Sequence, residues 1–371
     1  MRIAPFETED FYARYEFTSP HILSVSDCET VSIAELLELA GRSMADLGRT
    51  RLSYTESRGH PELRAAISAC YEHVDAEAIL ELNAPIEGIY IVMEELLEPG
   101  DRAIVLGPCY DALHNIPEHV SGNVEYWMLE PVEGAWALDF DKLDALLRPP
   151  TKLLVVNFPQ NPTGFLPTEA QFFHILERVR EKGLWLFSDE MYRGLELDGA
   201  SMLPSAADHY ERAIVLSGLS KTYGLPGLRF GWLVARDQEL YGSLLNRKYY
   251  TSICPPAPSE TLAMAAFEAR DKLVERNLRR IHANVALADT FFAQREDFFD
   301  WRRPQAASVA LVGVDVPSAK EYCHTLAKEA GIVLLPSSFL GYDDAHVRFG
   351  FGRESFGASL AAYEKHLAKG D

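Results

Sequence analysis

The chain of 371 residues predicts an α/β protein, with a large domain on a mostly parallel central sheet and a smaller α+β domain formed by the N- and C-terminal segments. Three observations carry this prediction. The length exceeds what one hydrophobic core usually organises, so a large and a small domain are expected. Between roughly residues 45 and 250, short apolar runs alternate with amphipathic stretches, the pattern of strands joined by crossover helices. After Pro255-Pro256-Ala257-Pro258 the pattern changes to long helical periodicities with few strands. The expected division is residues 1–44 packing with the small domain, 45–258 as the large domain and 259–371 as the small one.

In the central region the strand candidates are 102–106, 124–129, 152–158, 184–188, 213–217 and 230–234. Each is a short, unbroken apolar run of the kind a strand covered on both faces requires. Helices are expected at 61–71, 87–97, 140–147 and 169–182; Pro61 follows Gly59-His60 and Thr168 precedes Glu169, both start signals. Beyond 258, the expected elements are helices at 259–270 and 272–294, a strand at 308–314, a helix at 319–331, a strand at 346–351 and a helix at 355–369. The first forty-odd residues show one amphipathic helix, 32–39, and no strand partner of their own.

Composition narrows the function classes. Hydrophobic residues make up 47% and charged residues 24%, the profile of a soluble globular protein. A net charge of -20 argues against nucleic acid as a partner. With no basic helix ahead of residue 45, a DNA-binding regulator is disfavoured as well. No apolar run approaches the ~18 to 20 residues that span a bilayer, so no membrane partner is expected. Met1 to Asp10 lacks the apolar stretch of a secretory signal, and a cytoplasmic location is the expectation. The five cysteines are scattered, with no C-x-x-C pair pointing to zinc or redox chemistry, and no metal site is expected.

Lys221 lies in Ser217-Gly218-Leu219-Ser220-Lys221-Thr222-Tyr223-Gly224-Leu225-Pro226-Gly227-Leu228-Arg229. An ordinary lysine, with a pKa near ~10.4, is protonated at neutral pH and cannot attack a carbonyl. Desolvation and nearby positive charge free the amine, and this setting offers both. Asn157-Phe158-Pro159-Gln160-Asn161-Pro162-Thr163-Gly164 follows an apolar strand, where open α/β sheets bind ligands, although the same residues also make a plain turn. Ser188-Asp189-Glu190-Met191-Tyr192 leaves another strand end. A buried Asp189 needs a partner such as a protonated ring nitrogen, or it simply caps the next segment. Tyr110, after Pro108-Cys109, is an aromatic at a third strand end, either a stacking platform or a core residue. A nucleotide-binding reading fails, because Ser220 stands where a phosphate loop needs glycine before its lysine.

Taken together, N-P-T-G, S-D-E-x-Y and S-K-x-x-G-L-x-G-x-R-x-G, in this order from about Tyr54 to Arg348, resemble the class I/II aminotransferases, pyridoxal-phosphate enzymes of fold type I. The resemblance implies a pyridoxal 5'-phosphate cofactor bound covalently by Lys221, which then carries the proton of the reaction. It implies that Asp189 holds the ring nitrogen protonated, that Tyr192 and Asn161 hydrogen-bond the ring oxygen, and that Tyr110 stacks on the ring. Arg229 and Ser220 would bind the phosphate, with Tyr54 reaching the phosphate of a neighbouring subunit in a homodimer. Arg348, in Val347-Arg348-Phe349-Gly350, resembles the arginine that clamps a substrate α-carboxylate, with Arg353 as a rival read as a surface residue at a helix start. The implied reaction is amino transfer between an L-amino acid and a 2-oxo acid.

Three departures from the family pattern stand out. Asn83-Ala84-Pro85-Ile86-Glu87-Gly88 replaces a small-residue turn bearing a hydroxyl, and Pro85 lacks an amide donor for phosphate. Gly218 stands where many relatives have serine. The segment Lys248-Tyr249-Tyr250-Thr251-Ser252 has no arginine in register to reach a second carboxylate, although Arg247 and Lys248 are close. Glu16 and Asp27 fall in the region that covers the substrate side chain, where carboxylates would favour a basic group such as that of arginine, or are solvated surface charge. The layout also resembles a subgroup of fold type I enzymes that oxidise or cyclise arginine derivatives, and the alternative is a pyridoxal-phosphate oxidase, cyclase or lyase acting on an amino acid, arginine-like where the carboxylates select it.

Overall fold

The apolar runs of the central region pair as one seven-stranded sheet: β1 (Ile79–Leu82), β2 (Ala103–Gly107), β3 (Val124–Met128), β4 (Leu153–Asn157), β5 (Trp185–Asp189), β6 (Ala213–Gly218) and β7 (Gly231–Ala235). The computed structural model describes residues 2–368, so the expected end of the last helix at Lys369 lies outside the described residues. The sheet order is β1-β7-β6-β5-β4-β2-β3, with β7 antiparallel to both neighbours and the other pairs parallel. Every residue of β2 and β4 is buried, since helices cover both faces. That is why these strands read as continuous apolar runs.

Three central elements depart from expectation. Strand β1 reads Ile-Leu-Glu-Leu, and a buried Glu81 inside it hides the apolar pattern. Helix Asp111–Ser121 carries Pro117 within it, and its periodicity is broken accordingly. Helix Gln238–Tyr249 carries Gly242 and Ser243 in its middle, which break up its apolar pattern. The expected helix 169–182 is found as Glu169–Lys182, with a reciprocal cap between Thr168 and Gln171.

The C-terminal region forms a four-stranded sheet in the order Phe299–Asp300, Val309–Val314, His346–Gly350, Leu335–Pro336, packed with helices Arg270–Ala293, Ala319–Ala330 and Phe356–Leu367. The N-terminal segment does find a strand partner, because His21–Ile22 pairs in parallel with Ile332–Val333. It also holds an unexpected helix, α1 (Glu7–Tyr15), masked in sequence by a first turn of three acids. Phe11, Tyr12, Leu23, Val25 and Cys28 join the core of the C-terminal sheet, whereas Leu36 and Leu37 join that of the central sheet. Leu262 and Ala266 of helix Ala257–Glu268 also belong to the central core. We propose that the domains follow these two cores, which puts that helix with the large domain.

Candidate active site

Four segments meet where β2, β4, β5 and β6 end. Asn157 and Asp189 are register partners in adjacent strands, and Asp189 pairs in turn with Leu216 of β6. Asn157 locks the corner: its Nδ2 donates to the Asp189 carbonyl (2.9 Å) and its Oδ1 accepts from the Asn161 backbone N–H (2.8 Å). Gln160 ties the same turn to the Pro108 carbonyl beside Tyr110. Thr222 donates to the carbonyls of Met191 (3.1 Å) and Arg193 (3.0 Å), which fastens the Lys221 loop to the Asp189–Tyr192 segment. The sheet thus brings Tyr110, Asn161, Asp189, Tyr192, Ser220 and Lys221 to one recess.

Arg348 reaches this recess from the C-terminal sheet and is 2% exposed. Its Nη1 donates to Asn161 Oδ1 (3.0 Å), its Nε and Nη2 to the Ser24 carbonyl (3.1 and 3.0 Å), and its Nη2 also to the Tyr12 hydroxyl (2.9 Å). Tyr12 donates onward to the Ser24 carbonyl (2.9 Å). Sequence reasoning missed Tyr12, because it lies more than three hundred residues from Arg348 and only the fold brings the two together. The start of α1 is held on the large domain by Asp111, which accepts from the Thr8 hydroxyl (2.7 Å) and backbone N–H (3.3 Å). Tyr110 donates to Glu9 Oε1 (3.0 Å), so α1 spans both cores above the recess.

The electrostatics of the recess are unbalanced without a ligand. Burial pushes the Asp189 carboxyl up to about 7, against the pull of the Met191 N–H and of Lys221. Burial pushes the Lys221 ammonium down; Asp27 opposes this and Arg348 adds to it. Lys221 Nζ donates to Ser26 Oγ at 2.9 Å, a contact with no sequence signal. The Tyr192 hydroxyl is buried without an aligned hydrogen-bond partner. Burial pushes its phenol up as well, partly offset by Arg348 and by the neighbouring Ser26 hydroxyl. A buried carboxylate awaiting a cation, an orphaned phenol and a desolvated amine fit the pyridine nitrogen, ring oxygen and aldehyde of pyridoxal 5'-phosphate.

The phosphate end departs from the family pattern in a self-consistent way. Ala84 has φ +145°, a strained conformation for a residue with a side chain, and Pro85 opens helix Pro85–Leu96. A Cβ at Gly218 would lie 2.7 Å from Pro85 Cγ, and one at Gly231 would lie 2.8 Å from it. Proline in the cup and glycine in place of serine at 218 are therefore one packing change. Ser220 is buried beside Lys221. Arg229 stands apart in the left-handed region (φ +49°), exposed, its Nη1 donating to the Pro226 carbonyl (2.9 Å). Tyr54 is 86% exposed on the outer surface, and nothing in this chain brings it to the recess.

Where a substrate side chain would lie, acids gather. Glu16 is pushed up by burial and by Asp27, with Arg353 and Lys221 pulling it down. Arg353 Nη2 donates to Asp27 Oδ2 (2.7 Å), so Arg353 is no free surface residue but the partner of Asp27. Lys248 is fully buried with its Nζ donating to the Ser57 carbonyl (2.6 Å), and Arg247 Nε pairs with Glu95 Oε2 (2.5 Å). Both cations of that segment are committed elsewhere. Among the described residues no cluster of three or more metal-ligating side chains occurs, and no helix is long and apolar enough to cross a membrane.

Comparison with known proteins agrees with this geometry. The chain is 27% identical to the capreomycidine synthase of Streptomyces vinaceus over 97% of its own length and 92% of that protein's. A PLP-dependent aminotransferase from Streptococcus suis superposes with a TM-score of 0.93 at 29% identity, covering 100% of this chain and 99% of that one. The PLP-dependent cyclase OrfR superposes with a TM-score of 0.90 at 26% identity, again covering 100% and 99%. The model for aminotransferase class I and II matches residues 22–361, nearly the whole chain. This chain belongs to that family, has the fold of its PLP-dependent members, and takes pyridoxal 5'-phosphate as its cofactor.

Proposed function

We propose that the protein transfers the amino group of an L-amino acid to a 2-oxo acid. The observation that carries this reading is the buried Arg348 guanidinium, positioned by Asn161, Tyr12 and Ser24 near Lys221. A planar guanidinium suits a carboxylate, and its position fixes the substrate so that the α carbon faces the lysine. The bound cofactor supplies an electron-withdrawing ring that stabilises negative charge on that carbon. Asp189 keeps the ring nitrogen protonated, and Asn161 and Tyr192 hold the ring oxygen. Ser220 would hold the phosphate together with Arg229, once the Arg229 guanidinium leaves the Pro226 carbonyl, and Tyr110 would cover the ring. Lys221 Nζ, whose charged form burial disfavours, takes the α proton and later returns it.

Tyr54 has a role only if a second copy supplies it, and a homodimer follows. Thr55 Oγ1 donates to the Pro255 carbonyl (2.7 Å), which ties the segment of Leu52 and Tyr54 to that following Tyr250 and Ile253, and all four side chains are exposed. Sedimentation velocity checks the dimer.

Glu16, near Lys221 and without a salt bridge among the described residues, favours a second reading in which the substrate is basic and the reaction after α-proton removal is cyclisation, oxidation or elimination. The capreomycidine synthase and the cyclase OrfR among the similar proteins support it. The test is a single turnover with L-arginine and other amino acids, followed by mass spectrometry of the product. Transamination leaves the cofactor in its amine form with a 2-oxo acid released; a cyclised or oxidised product with the cofactor unchanged decides for the second reading. Lys221→Ala is expected to abolish covalent cofactor absorbance and lower turnover by at least ~10²-fold to 10⁴-fold. An intact band in that variant would remove Lys221 from the scheme.

A further inference from the structure

Residues 24–29 form a strap between the C-terminal sheet and Lys221. Its ends are fixed by backbone bonds, from Gly350 N–H to the Leu23 carbonyl (2.7 Å) and from Glu29 N–H to the Gly352 carbonyl (2.8 Å). Its middle is fixed by the Ser308 hydroxyl, which donates to the Ser26 carbonyl (2.7 Å). The approach is close enough that only glycine is tolerated opposite. A Cβ at Gly350 would lie 1.8 Å from the Val25 carbonyl oxygen, and one at Gly352 would lie 2.3 Å from that of Asp27. So much fixation of so short a segment places one side-chain oxygen, Ser26 Oγ, 2.9 Å from Lys221 Nζ.

We propose that Ser26 is a catalytic residue, its hydroxyl holding the Lys221 amine at the reacting face whenever that amine is not covalently engaged. This rests on Lys221 being the covalent and proton-carrying lysine. In the proton step the C–H bond at the substrate's α carbon breaks, its electron pair stays on carbon, and a new N–H bond forms at Nζ. The proton leaves Nζ again when a C–H bond re-forms. Ser26 gains and loses no proton; its oxygen accepts from an N–H of Nζ in both charge states. An untethered lysine has many rotamers to lose, and one fixed acceptor restricts them.

The test uses the holoenzyme and aminooxyacetate, which displaces the lysine from the cofactor whatever the natural substrate is. The displacement constant is read by absorbance. Ser26→Ala is expected to weaken aminooxyacetate by about 3-fold to 10-fold, the loss of one hydrogen bond to the freed amine. Ser26→Thr, which keeps the hydroxyl, is expected to stay within about 2-fold of the parent on the same ground. Equal constants for Ser26→Ala and the parent overturn the proposal. So does a loss in Ser26→Thr equal to that in Ser26→Ala, which would mark a packing role. Lys221→Ala is the control: a covalent band surviving there would be the failure of the lysine assignment and not of Ser26.

Discussion

Tyr12 is the residue whose role is least expected from its position in the chain. Its hydroxyl joins Arg348 Nη2 (2.9 Å) to the Ser24 carbonyl (2.9 Å), so it sets the tilt of the guanidinium and shares one of its arms. Tyr12→Phe keeps the ring packing and removes the hydroxyl's bonds to Arg348 and Ser24. A hydrogen bond to a charged group contributes about 1.5–3 kcal/mol, so KM for the amino acid is expected to rise about 10-fold or more, with kcat far less affected. Steady-state kinetics with the best donor checks it, and a matching fall in kcat with unchanged KM would contradict a carboxylate-positioning role. Lys221 and Asp189 drew notice in the sequence because chemistry-bearing residue types stood after readable strands, whereas Arg348, in the middle of a strand, was singled out only through the family resemblance. Tyr12 and Ser26 were not, since each acts through a contact across about two hundred residues or more that no local pattern encodes.

At the level of elements, the start of helix Pro85–Leu96 and the ends of β6 and β7 form one unit. In the sequence Pro85 and Gly218 read as two separate losses from the phosphate cup. The structure joins them: Pro85 occupies the space that a side chain at 218 would need. Gly218→Ser is therefore expected to overpack the cup by about 1–3 kcal/mol. Combined with Pro85→Ser, the change should recover most of that loss, giving a coupling energy in the usual range of about 0.5–3 kcal/mol for contacting residues. Thermal unfolding of both single variants and the double variant checks this, and additive losses would show that the two positions are independent. The same physics limited the reading of the fold. Long apolar runs such as β2 and β4 were found, whereas β1 was hidden by Glu81 and helix Asp111–Ser121 by Pro117.

Across the whole molecule, the loop that carries Tyr54 outward is anchored on buried charge. Lys248 Nζ donates to the Ser57 carbonyl (2.6 Å) and Glu260 Oε1 accepts from the His60 N–H (3.1 Å). Gly59, at φ +104°, lets the chain pass where a Cβ would lie 2.1 Å from Glu81 Cδ. Both Glu81 carboxylate oxygens are buried without aligned partners. Burial, and then the negative charge of Glu260, push the Glu81 carboxyl up to about 9, so at neutral pH it is protonated. An unfolded glutamate titrates near ~4.3. Between those two values the folded state holds a proton that the unfolded state has released, so stability falls as pH rises and the contribution is gone above about 9. The slope is at most about 1.4 kcal/mol per pH unit for one proton. Glu81→Gln keeps the shape and cannot ionise, so its melting temperature is expected to fall less than the parent's between pH 7 and pH 10, values that bracket the shifted carboxyl. Parallel melting curves for parent and variant over that range would show that Glu81 does not titrate there. If the curves diverge, the dimer should loosen with them, because the Tyr54 loop is fastened to Lys248 and to Glu260, whose charge acts on Glu81. Sedimentation velocity over the same pH range then links one buried proton to the assembly in which Tyr54 is proposed to reach the partner's cofactor.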